Sequence, residues 1–213
     1  MDHQAPAFRK PFDKPGGTGY VFLEISGSSG QATCRRNHNT SDKPMPSPVL
    51  DAIRTRRSIR TFTEQPVDSA VLHEIIQAGV WAPSGLNNQP WRFVIVTDPA
   101  IRARLAEQTN YRHIVLGAPA LIAVYLDREA MYDDLKDAQS AGACIQNMLL
   151  AAEALGLGAV WLGQILKNRG NVGLILGLAG KLELMAVIAV GHPSRHDQQS
   201  QRKPLAEFIV KEL

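Results

Sequence analysis

Cysteine is scarce in this chain of 213 residues, which has two, Cys34 and Cys144. They lie far apart and outside any paired spacing, which excludes a disulfide framework and fits a reducing compartment. Charge of one sign is also in short supply. The formal net charge is +3, and of the 23 Lys and Arg and 20 Asp and Glu, six and four precede residue 47. The remainder is nearly neutral, giving no ground for a nucleic-acid or acidic-membrane partner. No apolar core of a signal peptide opens the sequence. The longest greasy stretch, Cys144 to Gly163, is broken by Gln146, Asn147 and Glu153. It reads as a buried helix and a strand, not a membrane span. Internal repeats are absent. What is left is ordinary globular material, 45% hydrophobic and 20% charged, expected to be soluble and cytoplasmic.

Residues 1–46 differ in texture. Pro, Gly, Ser and Asn cluster at Lys14–Gly17, Ser26–Gly30 and Asn37–Ser41, and only Tyr20–Ile25 has the look of a strand. Such a segment buries too little apolar area to offset ordering its backbone, so a largely disordered extension is expected. Met45 stands directly before the first clean helix signal, and the natural start is expected there, with a single domain over residues 47–213.

That helix opens with a capping hydroxyl at Ser47, Pro48 at the first helical position and Asp51 in the first turn. It is expected to carry Val49, Leu50 and Ile53 inward. It ends in Arg54-Thr55-Arg56-Arg57-Ser58-Ile59-Arg60, which three readings fit. The stretch could be a solvated basic helix end, a nucleic-acid patch that lacks interleaved aromatics, or an anion site built from arginine forks and a hydroxyl.

A second helix (Val71, Leu72, Ile75, Ile76, Val80) runs into Trp81-Ala-Pro-Ser-Gly-Leu-Asn-Asn-Gln-Pro-Trp91, and a strand-like run, Trp91 to Thr97, leaves it. Amides and a hydroxyl crowd between two tryptophans, with proline stiffening both ends. A loop of that kind offers donors and acceptors at low entropic cost to a flat, polar-edged ligand. Further on come a helix from about Pro99 to Gln108, a strand Ala120–Leu126 and a long helical period from Asp137 to Leu155. A glycine turn, Gly156-Leu157-Gly158, precedes a short strand, Ala159–Leu162. A helix over Asn168–Leu178 and a strand over Leu184–Val190 complete the pattern. The turn fails as a dinucleotide fingerprint, because it follows a helix and no acidic residue stands at the required distance. His192 and His196 have ligand-like spacing, but Pro193 intervenes and no third ligand is apparent, so no metal is expected.

Three motifs occur in order: Arg56-Arg57-Ser58-x-Arg60, Ala82-Pro83-Ser84-Gly85-x-Asn87-x-Gln89-Pro90-Trp91, and Gly156-Leu157-Gly158-x-x-Trp161-x-Gly163. Together they closely resemble the FMN-dependent nitroreductase family, over roughly residues 47 to 213. The resemblance implies an α+β fold, with a central mixed or antiparallel sheet flanked by helices, in an intertwined homodimer holding noncovalent FMN at the interface. It implies that Arg56, Ser58 and, beside them, Arg57 meet the FMN phosphate, with Arg60 near the N1–C2 edge of the flavin. Pro83, Ser84, Gly85 and Asn87 of the other subunit would wrap the ring and ribityl chain. Leu162 and Gly163 would pass the ring, a backbone N–H facing N5, and Arg202 and Lys203 would return to the phosphate. Relatives often have Ser where Gly85 stands.

On this reading the chain takes hydride from NADH or NADPH at flavin N5 and passes electrons to a nitroaromatic, a quinone or a similar small acceptor, by a ping-pong mechanism. No side chain acts as nucleophile; Cys144 is expected to be a small buried hydrophobe. Dehydrogenation, dehalogenation and flavin fragmentation occur in the same family and stay open. So does a non-enzymatic basic binding module using Arg54 to Arg60.

Overall fold

The computed structural model describes residues 47–178, 180 and 182–213. The expectations for residues 1–46, the strand at Tyr20–Ile25 and the start at Met45 included, lie outside these. Among the described residues six α-helices and four strands follow in chain order: α1 Pro48–Thr55, α2 Ser69–Val80, β1 Trp91–Val96, α3 Pro99–Ala106, α4 Arg112–Gly117, β2 Ala120–Asp127, α5 Asp134–Ala154, β3 Gly158–Leu162, α6 Arg169–Ile175 and β4 Leu182–Gly191. Caps set most of the helix starts. Ser47 Oγ accepts from Leu50 N, Asp68 from Ala70 N, Asp98 from Ala100 N and Ile101 N, and Asp133 from Lys136 N. The long helix α5 ends at Leu155, where Gly156 takes a φ of 74°, the left-handed residue that the glycine turn predicts.

The strands form one sheet in the order β1-β2-β4-β3, every pair antiparallel. The parallel element is a bridge outside the strands, Ser58 to Ala159 at the β3 edge. Alternation along each strand sends successive side chains to opposite faces and makes two cores. Ile122, Val124, Leu126, Ala186 and Ile188 face α2 and α5, where Leu72, Ile75, Ile145 and Met148 close the layer. Leu121, Ala123, Val187 and Val160 face the other way, against Leu105, Ile114 and Val172 of α3, α4 and α6. The α+β class and the antiparallel sheet are as the sequence implies.

Three expectations need correction. Helix α1 buries no residue, and Val49, Leu50 and Ile53 lie on the surface of the protomer, Val49 being 66% exposed. Its apolar face is real, but nothing among the described residues covers it. The helix expected over Asn168–Leu178 is there but shorter, α6 ending at Ile175 short of Gly177 at φ 69°, and a 3-10 turn, Gln164–Asn168, precedes it. Leu155, the expected end of the long helical period, is the half-exposed cap of α5 and no part of its buried face.

Cys144 lies fully buried in α5, and burial pushes its thiol up to about 12. The native protein should therefore leave Cys144 unlabelled by iodoacetamide at pH 8, and peptide mapping should find it labelled only after denaturation. Labelling at equal rates in both states would contradict the packing described. Among the described residues, no helix is long and apolar enough to cross a membrane.

Candidate active site

The segment after α1 is laid against the sheet by its backbone. Ile59 N donates to Ala159 O at 3.1 Å, Thr63 N to His192 O at 2.8 Å and Ser194 N to Thr61 O at 3.1 Å. Ile59 points inward and is 4% exposed. A side-chain carbon at Gly158 would come within 2.6 Å of Ile59 Cβ, so the glycine is what permits this close approach. Since alternate residues share a face, Ser58 and Arg60 sit opposite Ile59 at the outer edge of β3. Leu162 ends that strand, buried and paired with Val187, and Gly163 follows it.

The arginines here differ in what they have left to offer. Arg57 Nη1 donates to the carbonyls of Arg54, Thr55 and Arg56, capping the end of α1, so only the rest of its fork is free. Arg60 Nη1 donates to Ser58 O at 3.2 Å. Arg56 has a buried Nε without a hydrogen-bond partner, and among the described residues it forms no ion pair. A half-buried cation without a carboxylate beside it fits an anion. The stretch Arg54–Arg60 is not one basic face, because Arg54 pairs with Asp51 at 3.8 Å while Arg57 turns onto the helix.

The amide-rich loop between α2 and β1 is unusual in its backbone. Leu86, Asn87 and Gln89 all take positive φ, of 53°, 56° and 46°. Three non-glycine residues in the left-handed region within four positions need outside support. Ser84 Oγ accepts from Gln89 N at 3.1 Å, which turns the hydroxyl inward onto the loop itself. Asn88 Nδ2 donates to Ala130 O at 3.0 Å and to Asp137 Oδ1 at 2.8 Å. A carbon added at Gly85 would fall 2.2 Å from the ring and hydroxyl of Tyr132. Tyr132 thus occupies the space that a side chain at position 85 would fill. Pro83 and Asn87 are exposed, as is Trp81 at the end of α2 (81%).

Asp137 is the charged residue of this network. It is sealed from solvent by a thin cover of chain. Burial alone would raise its carboxyl. The bonds from Asn88 Nδ2, Asp133 N and Tyr132 N, with Lys136 nearby, outweigh it and hold the carboxyl below the usual aspartate value. Neither Asn88 nor Asp137 carries a motif that would have marked it in the sequence.

A second tie lies past Gly163. Gln164 Oε1 accepts from Thr109 Oγ1 at 2.6 Å and from Asn110 N at 3.0 Å, fastening the α3–α4 connection beside the end of β3. Sequence reading missed Gln164 and Thr109 as well. Asn110 and Arg112 are surface residues, Arg112 pairing with Glu107.

The structure lays Ser58 at the β3 edge that Leu162 and Gly163 terminate, with Arg56 and Arg60 flanking it in the chain. The other two groups are not tied to it among the described residues. Among the described residues, no hydrogen bond or ion pair joins the loop Pro83–Asn87 to Arg56, Ser58 or Arg60. Arg202 donates to Ser200 Oγ and to Gln201 O, and Lys203 pairs with Glu207 at 3.1 Å. A cavity of about 790 Å³ between Phe62, Val67, Leu72, Ile95 and Arg102 holds none of the residues expected at the cofactor.

Comparison with known proteins bears on these groups. The model of the nitroreductase family matches residues 53–110 and 106–192. A Thermus thermophilus protein named NADH dehydrogenase is 32% identical over 200 residues, spanning 76% of this chain and 97% of its own. A crystal structure described as a nitroreductase in complex with FMN, from Desulfovibrio desulfuricans, is 50% identical. It superposes with a TM-score of 0.76 over 79% of this chain and 98% of that one. The NADPH:FMN oxidoreductase of Vibrio harveyi complexed with NAD+ is 28% identical, with a TM-score of 0.71 over 78% of each chain. The three motifs, the sheet they sit on and these likenesses agree: the chain belongs to the nitroreductase family.

Proposed function

We propose that the chain is an FMN-dependent NAD(P)H oxidoreductase, with residues 47–213 as its FMN-binding domain. The observation that carries the reading is Arg56, a half-buried cation lacking a carboxylate partner among the described residues, two positions before the Ser58 bridge to β3, in a chain 50% identical to an FMN complex. When bound, FMN supplies N5, which takes hydride from NADH or NADPH and returns electrons, in ping-pong order, to a nitroaromatic, quinone or similar acceptor.

The chain's own part is binding and orientation. Arg56, with Ser58 and the free part of the Arg57 fork, holds the phosphate, and Arg202 and Lys203 add charge to it from the C-terminal segment. Arg60 places a fixed cation at the pyrimidine edge, where reduction builds negative charge. Leu162 and Gly163 supply backbone at the reacting edge of the ring, with Gln164 fixing the turn that follows. Pro83, Ser84, Gly85 and Asn87 close over the ring from a second copy of the chain. That no hydrogen bond or ion pair joins them to Arg56 among the described residues of one protomer supports a site completed by two copies. So does the apolar surface running from Val49 and Ala52 across Trp81 to Leu150 and Ala154.

Purified protein should be yellow and should bleach when NADH or NADPH is added without acceptor. Arg56→Ala should weaken FMN retention by about 1–3 kcal/mol, the value of a charge-assisted bond to phosphate. Equilibrium dialysis reads the change directly. Unchanged retention would remove Arg56 from the phosphate site, and colourless protein indifferent to FMN would remove the function.

A further inference from the structure

Resting on the FMN reading, we propose that Asn88 and Asp137 are positioning residues that lock the loop Ser84–Gln89 in the one shape able to receive the cofactor. The loop cannot hold that shape by itself. Leu86, Asn87 and Gln89 are all left-handed, a conformation that residues with a β-carbon rarely keep. Leu86 is 87% exposed, so packing does not fix it. Beside the loop's own bond from Gln89 N to Ser84 Oγ, the polar tie to the rest of the protomer is at Asn88, which sits among the three strained residues. Its Nδ2 donates to Ala130 O and to Asp137 Oδ1.

The anchor point is in turn rigid. Asp137 Oδ2 accepts from Tyr132 N at 2.9 Å and Asp133 N at 3.0 Å, so both carboxylate oxygens are used. Asp137 belongs to the first turn of α5, whose buried face is the centre of one core layer. Tyr132, just before the cap of that helix, lies against Gly85, so the loop is held at two points, the bonded Asn88 amide and a ring contact. A carboxylate accepting from three N–H groups in a site closed to water is a stiff support. Loop shape is thus coupled to the longest helix of the fold. Pre-organising a binding loop raises affinity by removing the cost of ordering it on binding.

The test is a double-mutant cycle read as FMN affinity, by quenching of flavin fluorescence on titrating full-length apoprotein that circular dichroism shows to be folded. Asn88→Ala and Asp137→Asn should each raise the FMN dissociation constant tenfold or more. The double variant should bind no worse than the weaker single one, because both remove one device. Dissociation constants within threefold of wild type in either folded single variant, or additive losses in the double, overturn the inference. Should Asp137→Asn not fold, Asn88→Ala is compared with and without Leu86→Gly. Glycine relieves the left-handed strain without restoring either bond, so part of the lost affinity should return, and no recovery overturns the inference. Wild-type protein that ignores FMN overturns the functional reading and this one with it. Wild type that binds, with variants that bind equally well, overturns this one alone.

Discussion

Asp137→Ala should destabilise the protein by on the order of 3 kcal/mol at pH 7. Three N–H donors would be left without an acceptor in a site closed to water, and each lost bond to a charged group costs about 1.5–3 kcal/mol before relaxation. The effect should depend on pH in a fixed direction. In the fold the carboxyl is held below its ordinary value of 3.8, so the folded state favours the charged form. Its contribution is complete above that value and is lost as pH falls through the lower, folded value. Denaturant melts of wild type and variant should therefore lie far apart at pH 7 and draw together below about pH 3.8. A separation equally wide at pH 7 and pH 3 would show that the carboxylate's charge is not what the network uses.

Gly158→Ala has the second large expected effect, and it reaches the site through the backbone. The added methyl would lie 2.6 Å from Ile59 Cβ and 2.7 Å from both of its γ carbons. The obstruction begins at a carbon bonded to the main chain, so no rotamer change clears it. The segment must retreat from β3, breaking the bond from Ile59 N to Ala159 O and moving Ser58 and Arg60 with it. Overpacking of this kind costs about 1–3 kcal/mol, and FMN retention should fall alongside. Gly170→Ala is the matched control, because a carbon there meets nothing within 4 Å. A Gly158→Ala protein that melts with wild type and keeps its flavin would show that the β3 edge does not need this close approach.

The parts of the fold that could be read from the chain are those where one residue pattern has one structural outcome. The runs Trp91–Val96, Ala120–Asp127 and Leu182–Gly191 are apolar, β-rich and bounded by turns, so they become strands. The period of α5 has room for only one broad buried face, and Gly156 can only end it. Helix α1 shows the limit. Spacing says that Val49, Leu50 and Ile53 share a face; it does not say whether that face meets the chain's own core or something outside it.

The candidate site residues could be proposed from the chain for a different reason: they are contiguous in short motifs, and Ser58 and Leu162 lie on one sheet edge. The supports beneath were not legible. Asn88 and Asp137 stand 49 positions apart, and Thr109 and Gln164 stand 55 apart. A single amide meeting a single carboxylate across such distances leaves no periodicity and no composition shift. Gly85 makes the same point. Its role depends on Tyr132, which only the folded chain brings over it.

The uncovered apolar face of α1 has one more consequence. If a second protomer covers Val49, Leu50, Ile53 and Trp81, unfolding releases two chains and obeys mass action. The thermal midpoint then climbs with protein concentration, and dilution alone loosens the enzyme, whatever the flavin does.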